Sequence, residues 1–178
     1  IEGGAGKDTL YGGAGIDTLK GDVGEDLIFG GADKDVINGG ADNDTLYGGD
    51  KSLGEASVDA DETGTGDDTI YGDAGIDIIY GRDGDDTLDG GTENDTLYGG
   101  TNLTTGDTVD YSARTVGVDL TLDSGSGTAF LDTNPDGLEV HTTGEEEDTL
   151  DGIENIIGST IADKITGDAA ANSINGFT

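Results

Sequence analysis

Residues 3–20 read GGAGKDTLYGGAGIDTLK, two near-copies of one nine-residue phrase placed end to end. The phrase recurs along the chain, with an aspartate at its sixth position and a large aliphatic residue two places later. Nine aspartates keep a step of nine in two series: Asp8, Asp17, Asp26, Asp35 and Asp44, then Asp68, Asp77, Asp86 and Asp95. Self-similarity at a fixed short period predicts a solenoid of stacked repeats.

Each repeat divides into a turn and a short strand. The triplet after the aspartate, such as Thr9-Leu10-Tyr11, has β-branched and aromatic residues around an aliphatic centre, which is typical of a strand. Because side chains alternate along a strand, the aliphatic residue faces inward and its neighbours face outward. The preceding six residues are turn sequence, in which glycine supplies positive φ angles. Asp33, Asp42 and Glu93 replace the glycine at the fourth turn position, and glutamate is the least suited to it.

The composition is strongly acidic: the 178 residues include 40 Asp and Glu against 7 Lys and Arg, for a net charge of −33. Low hydrophobicity with high charge is typical of disordered tails, but a tail or linker does not keep aliphatic residues and aspartates in strict phase. The charge argues against nucleic acid and anionic lipid as partners, and the apolar runs are too short for membrane insertion. Cysteine is absent, which excludes disulfides and thiolate zinc sites. We expect this surface to attract cations.

The spacing of the aspartates predicts metal sites. If two repeats make one coil, aspartates eighteen apart stack, with Asp8 below Asp26 and Asp26 below Asp44. Neighbouring strands lie about 4.8 Å apart, so a cation midway would lie about 2.4 Å from each carboxylate, which is a calcium–oxygen distance. Bare glycines at the second and fourth turn positions would let backbone carbonyls complete an all-oxygen shell. The candidate carbonyl ligands belong to Gly4, Gly6, Gly13, Gly15, Gly24, Gly31, Gly40, Gly66, Gly75, Gly84 and Gly91.

The repeats GGAGKDTLY, GGAGIDTLK and GGADNDTLY resemble the glycine-rich nonapeptides GGxGxDxUx of RTX, or haemolysin-type calcium-binding, proteins. The resemblance implies a right-handed parallel β-roll with two nonapeptides per coil and calcium in the turns between coils. Such proteins are usually secreted by bacteria through type I secretion and fold in calcium-rich surroundings. Pair counting predicts about seven to nine calcium ions at oxygen-rich sites. One aliphatic residue per repeat is too small a core to fold alone, so we expect a disordered calcium-free state.

The repeats also set the expected organisation of the chain. Repeats occupy 1–49 and 66–100, an acidic loop insertion occupies 50–65, an irregular β and loop region covers 101–147, and degenerate repeats at 148–178 continue the solenoid. About fifteen looped-out residues would place Asp68 on Asp35. Further candidate ligands are Asp33, Asp42, Asp107, Asp148 and Asp163. Both ends of the sequence read as parts of further nonapeptides, so we expect a fragment of a longer array.

These observations favour a non-enzymatic structural module whose partners are calcium ions and flanking domains of the same chain. Two kinds of parent protein remain open. One is a secreted enzyme or toxin, of epimerase, lipase or protease type, that carries the module at its C-terminal side. The other is a giant adhesin or surface-layer protein in which the roll is an extender. A third alternative is polysaccharide binding by an outward tyrosine ladder, although structural cover for the sheet is the favoured interpretation of Tyr11, Tyr47, Tyr71, Tyr80 and Tyr98.

Overall fold

The structure is a computed structural model that describes residues 1–49, 66–101, 104–132 and 146–177. The predicted acidic insertion at 50–65 and residues 102–103 and 133–145 of the predicted irregular region lie outside the described residues. The described residues form strands and turns without a helix. The strands are β1 (Glu2–Ala5), β2 (Thr9–Ala14), β3 (Thr18–Val23), β4 (Leu27–Ala32), β5 (Val36–Ala41), β6 (Thr45–Tyr47), β7 (Thr69–Ala74), β8 (Ile78–Asp83), β9 (Thr87–Asp89), β10 (Thr96–Thr101), β11 (Thr108–Asp110), β12 (Gly117–Asp123), β13 (Ser126–Asp132), β14 (Glu146–Asp151), β15 (Asn155–Ala162), β16 (Lys164–Thr166) and β17 (Ser173–Phe177).

Successive strands of the repeats alternate between two sheets. The first sheet has the order β1-β3-β5-β7-β9-β11-β15-β17, and the second has the order β16-β12-β13-β14-β10-β8-β6-β4-β2. Strands from repeats two apart pair in parallel, with Leu10 opposite Ile28 and Leu19 opposite Ile37. Two nonapeptides therefore make one coil of eighteen residues. The predicted all-β parallel β-roll is confirmed.

The roll keeps its register across the interruptions in the repeats. Ile37 lies opposite Ile70, an interval equal to one coil plus the fifteen extra residues of the predicted insertion. Leu88 lies opposite Val109, an interval of one coil plus three residues. The strand pairing is therefore unchanged across both interruptions.

The core of the repeats consists of two facing columns of aliphatic side chains, one from each sheet. One large residue per repeat points inward, and Leu19, Ile28, Ile37, Leu46, Ile70, Ile79, Leu88 and Leu97 are all fully buried. Because each column is only one side chain wide, each coil gains little apolar burial of its own. Stacking on the neighbouring coil supplies the rest, as in other solenoids.

The C-terminal part adds an antiparallel hairpin to the second sheet. Strands β12 and β13 pair across a turn at Ser124 and Gly125, whose φ angles of 57° and 80° suit a two-residue hairpin turn. Strand β14 then pairs with β13 on one side and with β10 of the repeats on the other. The hairpin thereby brings Asp148 onto the end of the repeat array.

An aromatic ladder runs along the outside of the second sheet. Its rings belong to Tyr11, Phe29, Tyr47, Tyr80 and Tyr98, and neighbouring ring centroids are 4.7–5.2 Å apart with nearly parallel planes. Each interior ring therefore has its faces covered by its neighbours. Tyr71, which the sequence grouped with these tyrosines, lies in β7 of the other sheet.

Candidate metal centre

The alternation of strands sorts the repeat aspartates into two columns at opposite edges of the roll. Column one comprises the turns that lead from the first sheet to the second and contains Asp8, Asp26, Asp44, Asp77 and Asp95. Column two comprises the return turns and contains Asp17, Asp35, Asp68 and Asp86. Each aspartate is the last residue before a strand, so the strand register fixes its height along the column.

Within a column, one carboxylate oxygen of each repeat aspartate after Asp8 and Asp17 accepts a hydrogen bond from the backbone of the coil before it. The backbone N–H of Asp8 donates to Oδ1 of Asp26 at 2.8 Å, and that of Asp26 donates to Oδ1 of Asp44 at 2.7 Å. The other repeat aspartates make the same bond at 2.7–2.9 Å. These bonds orient the carboxylates from Asp26 onward and occupy their Oδ1 atoms.

The second oxygen of the carboxylate is left without a partner. Among the described residues, Oδ2 is buried and accepts no hydrogen bond in Asp8, Asp26, Asp35, Asp44, Asp77, Asp86, Asp95 and Asp107. Asp35 and Asp77 are fully buried as whole residues. Burial of an ionised group without a partner is costly. The recurring orphaned oxygen therefore marks a position where the fold requires a cation or a proton.

A glycine at the first turn position keeps space open beside this oxygen. A Cβ added to Gly3 would lie 2.9 Å from Oδ2 of Asp8 and 2.9 Å from the carbonyl oxygen of Gly21 on the next coil. At Gly30 the added atom would overlap Oδ2 of Asp35 and the next carbonyl oxygen. Each of these spaces is thus bordered by a carboxylate oxygen and a backbone oxygen from neighbouring coils.

The sequence reasoning missed these first-position glycines. It assigned carbonyl ligands to the second and fourth positions, yet Asp22, Asp73 and Arg82 occupy the second position while glycine is kept at the first in every repeat turn. The glycine that recurs at the first position of every repeat turn could have identified this position from the sequence. The cause is steric, because only a residue without a side chain fits between the carboxylate and the next coil.

Ten of the eleven glycines predicted as carbonyl ligands, all except Gly66, have the positive φ angles that the sequence predicts. Positive φ angles of 97–152° occur at Gly4, Gly6, Gly13, Gly15, Gly24, Gly31, Gly40, Gly75, Gly84 and Gly91. Asp33, Asp42 and Glu93 adopt the same region at 74°, 79° and 85°. A Cβ on Gly66 would overlap the Asp33 carbonyl oxygen, and one on Gly31 would overlap that of Gly13. Carbonyl oxygens at these positions therefore approach the glycine stacked on them.

Both columns continue past the nonapeptides. Asp107 extends column two, since its Oδ1 accepts the Asp86 N–H at 2.8 Å, and Asp148 extends column one by accepting the Asp95 N–H at 3.0 Å. The next residue in column two is Glu154, whose Oε2 accepts the Asp107 N–H at 2.9 Å. The sequence reasoning missed Glu154 because its turn begins at Gly152 and is only three residues long.

The remaining candidate ligands have different surroundings. The Asp33 and Asp42 side chains are exposed on the turns. Oδ1 of Asp163 accepts hydrogen bonds from the Val118 N–H at 3.0 Å and the Ser159 hydroxyl at 2.7 Å. In the repeats, the corresponding Oδ1 atom accepts a hydrogen bond from an amide of the preceding coil. Oδ1 of Asp163 likewise has hydrogen-bond donors from the protein.

Burial raises the pKa of the column carboxyls well above the ordinary value of 3.8, and neighbouring carboxylates add to the rise. The pKa is about 6 for Asp35 and Asp44, about 7 for Asp68, Asp77, Asp86 and Asp148, about 8 for Asp107 and about 9 for Asp95. Hydrogen bonds from the preceding coil oppose the rise without cancelling it. Without a cation, the carboxyls whose pKa is about 7 or higher are at least partly protonated at neutral pH.

The donor set consists of oxygen atoms. Within the described ranges, no group of three or more His, Cys, Asp or Glu side chains lies close enough to hold a metal ion by itself. An ion at the orphaned oxygens would therefore complete its shell with backbone carbonyls and water. This donor set suits calcium, which takes six to eight oxygen ligands at about 2.3–2.6 Å, and lacks the nitrogen and sulfur ligands typical of zinc.

Comparison with protein families agrees with this geometry. The model of the RTX calcium-binding nonapeptide repeat matches in four copies that cover residues 1–19, 20–50 and 62–97. A search of curated proteins gives no match. The described part of the chain contains no helix long and apolar enough to cross a membrane. The chain belongs to the RTX calcium-binding nonapeptide-repeat family, and its repeats form a calcium-binding module.

Proposed function

We propose that this chain is a structural module that folds when calcium binds in its turns. The observation that carries the proposal is the orphaned Oδ2 of eight column aspartates, namely Asp107 and all the repeat aspartates except Asp17 and Asp68, which is buried and without a hydrogen-bond donor. With only 7 Lys and Arg against 40 acids, the chain cannot neutralise these columns with its own cations. Divalent ions supply the missing charge.

The proposed ligands of each ion are an Oδ2 atom and backbone carbonyl oxygens of the same and the neighbouring coil. This arrangement refines the expectation of an ion midway between two carboxylates, because Oδ1 is already bound to an amide. The ligand aspartates are the nine of the repeats and Asp107. Eight orphaned oxygens in the described residues support a stoichiometry of about seven to nine ions. Magnesium fits less well, since it prefers about 2.0–2.1 Å octahedra and retains water.

Calcium binding and folding are expected to be one event. Each coil buries few apolar side chains, and ionised carboxylates about 4.8 Å apart repel by roughly 1 kcal/mol per pair even in water. Calcium ions that bridge the coils turn this repulsion between carboxylates into an attraction between coils. Because each coil contacts only its neighbours, the ions bind cooperatively as the stack grows.

The parent protein is proposed from the family. RTX repeats support a secreted bacterial protein, in which low intracellular calcium would keep the module unfolded until export. The module would serve as the C-terminal clamp of a secreted enzyme or toxin, or as an extender of an adhesin or surface-layer protein. Flanking sequence distinguishes the two: a catalytic motif upstream favours the first, and tandem immunoglobulin-like domains favour the second.

Polysaccharide binding is the weaker alternative. A sugar ring stacks on the face of an aromatic ring, and the interior rings of the ladder have their faces covered by neighbouring rings. Tyr11, at the end of the ladder, is about half exposed. A glycan array probed with the calcium-loaded module tests this alternative, and we expect no binding that depends on Tyr11.

The proposal is tested by far-UV circular dichroism during a calcium titration that starts in chelator, with magnesium as the control. We expect β signal to appear cooperatively with calcium and to remain weak at equal magnesium. Full β structure in chelator would refute calcium-driven folding.

A further inference from the structure

The turn that follows Asp95 in column one is built from two separate segments of the chain. Tyr111 directly follows β11 as Gly90 directly follows β9, so Tyr111 occupies the first turn position. Asp148 comes from the far side of the hairpin and precedes Thr149, which pairs with Thr96. Asp148 therefore occupies the aspartate position of the same turn.

A tyrosine replaces the glycine that keeps the metal space open in the nonapeptide turns. Tyr111 is 1% exposed, and its hydroxyl donates a hydrogen bond to Oδ2 of Asp148 at 3.0 Å. Oδ1 of Asp148 accepts the Asp95 N–H at 3.0 Å. Both oxygens of this carboxylate thus have protein donors, whereas Oδ2 of Asp95 is orphaned one coil below.

The same turn also supplies a positive charge. The Arg114 N–H donates to the carbonyl of Tyr111 at 2.9 Å. Its guanidinium lies 2.9 Å from Oε1 of Glu146, and Arg114 is 8% exposed. Burial raises the pKa of Asp148 to about 7, and the charge of Arg114 opposes this rise. A buried cation is therefore fixed beside the acidic end of column one.

We propose that Tyr111 and Arg114 take the place of a calcium ion at Asp148, so that column one ends in a metal-free closure. The phenol ring fills the space, its hydroxyl serves the oxygen that calcium would bind, and the guanidinium supplies the charge. The inference rests on the proposed function in taking Asp95 and the aspartates below it as calcium ligands.

Column two provides an internal contrast. Its corresponding residue, Asp107, is fully buried and has an orphaned Oδ2, and a glycine, Gly99, lies beside that oxygen. Asp107 therefore retains the features of a metal ligand and Asp148 does not. The two columns differ at this coil because only column one receives a tyrosine at the first turn position.

The test counts calcium ions bound per chain by equilibrium dialysis, for the whole chain and for Asp148→Asn and Asp95→Asn variants. We expect Asp148→Asn to keep the wild-type count and Asp95→Asn to lose at least one ion. An equal loss in both variants would overturn the metal-free closure while leaving the proposed function intact. No loss in either variant would refute the proposed function, and the inference would fall with it.

Tyr111→Phe gives a second readout that does not depend on Asp148→Asn folding. We expect Tyr111→Phe to keep the calcium count and to lower Tm by about 3–12 °C, the effect of losing a hydrogen bond to a charged acceptor. Tyr98→Phe, in the aromatic ladder, is the matched control and is expected to leave Tm within about 2 °C. Equal Tm changes in the two variants would overturn the role of the Tyr111 hydroxyl, and so would a lower calcium count in Tyr111→Phe.

Discussion

Comparing Asp44→Asn with the same substitution at an exposed aspartate distinguishes the loss of a metal ligand from the loss of a surface charge. Asp44 is 2% exposed, its Oδ1 accepts the Asp26 N–H at 2.7 Å, and its Oδ2 has no partner. Asparagine keeps the size and the Oδ1 acceptor but removes the charge from the proposed ion site. The control is Asp22→Asn, which removes one charge from an exposed turn residue with φ of 78°, a conformation that asparagine tolerates.

The expected magnitude follows from the loss of one ion. At a calcium concentration about 100 times the Kd of a site, each bound ion stabilises the fold by about 2.7 kcal/mol. For a chain of this size, about 1 kcal/mol corresponds to about 2–4 °C in Tm. Asp44→Asn should therefore lower Tm by about 5–11 °C in calcium, whereas Asp22→Asn should change it by less than about 2 °C.

The assay is thermal unfolding followed by circular dichroism in saturating calcium, with spectra in chelator for comparison. In chelator, Asp44→Asn should show at least as much β signal as wild type, because the variant lacks a buried charge that opposes stacking. The reasoning is refuted if Asp44→Asn and Asp22→Asn lower Tm equally in calcium. It is also refuted if Asp44→Asn loses β signal in chelator.

Three further predictions concern the turns. Gly30→Ala should prevent calcium-induced folding or raise the calcium midpoint several-fold, because the added Cβ would overlap backbone and carboxylate oxygens. Gly49→Ala should have a milder effect, since its Cβ would meet only the Arg82 side chain at 3.3 Å. Equal calcium midpoints for the two variants would contradict this prediction. Glu93→Gly should raise Tm in calcium, because it relieves a φ of 85° that costs a non-glycine residue about 1 kcal/mol; a lower Tm would count against it. Acidification from pH 8 to 5 should increase the β signal in chelator. Burial raises the pKa of Asp95 to about 9 and that of Asp77 to about 7, so the folded metal-free state binds more protons than the unfolded state. The stability of this metal-free folded state therefore falls as pH rises. The same acidification should raise the calcium midpoint, since protons compete for the ligands; opposite pH trends in circular dichroism would contradict the assignment.

Periodicity predicted the parts of the fold that repeat. The nine-residue step fixes which residues stack, and the pairing of Leu10 with Ile28 follows from it, as does the pairing of Ile37 with Ile70 across the predicted insertion. Even Glu93 adopts the turn conformation of its repeat against its own preference, because the coils on either side impose it. Stacking thus overrides the local propensity of a single residue.

The geometry within a repeat was less accessible from the sequence. Spacing gives the height of each aspartate but does not say that Oδ1 binds an amide of the preceding coil. The turn at Asp148 was hidden for another reason: its partner Tyr111 lies 37 residues earlier and is brought to it by the β12–β13 hairpin. Tyr71 was grouped with the ladder tyrosines because position in the repeat does not by itself assign a sheet.

The most direct test of calcium between coils is anomalous diffraction from crystals of the chain grown in calcium. Two lines of anomalous peaks are predicted along the edges of the roll, each peak about 2.3–2.6 Å from an Oδ2 atom of a column aspartate, with none at Oδ2 of Asp148. A well-ordered roll without peaks beside the column aspartates would contradict the account.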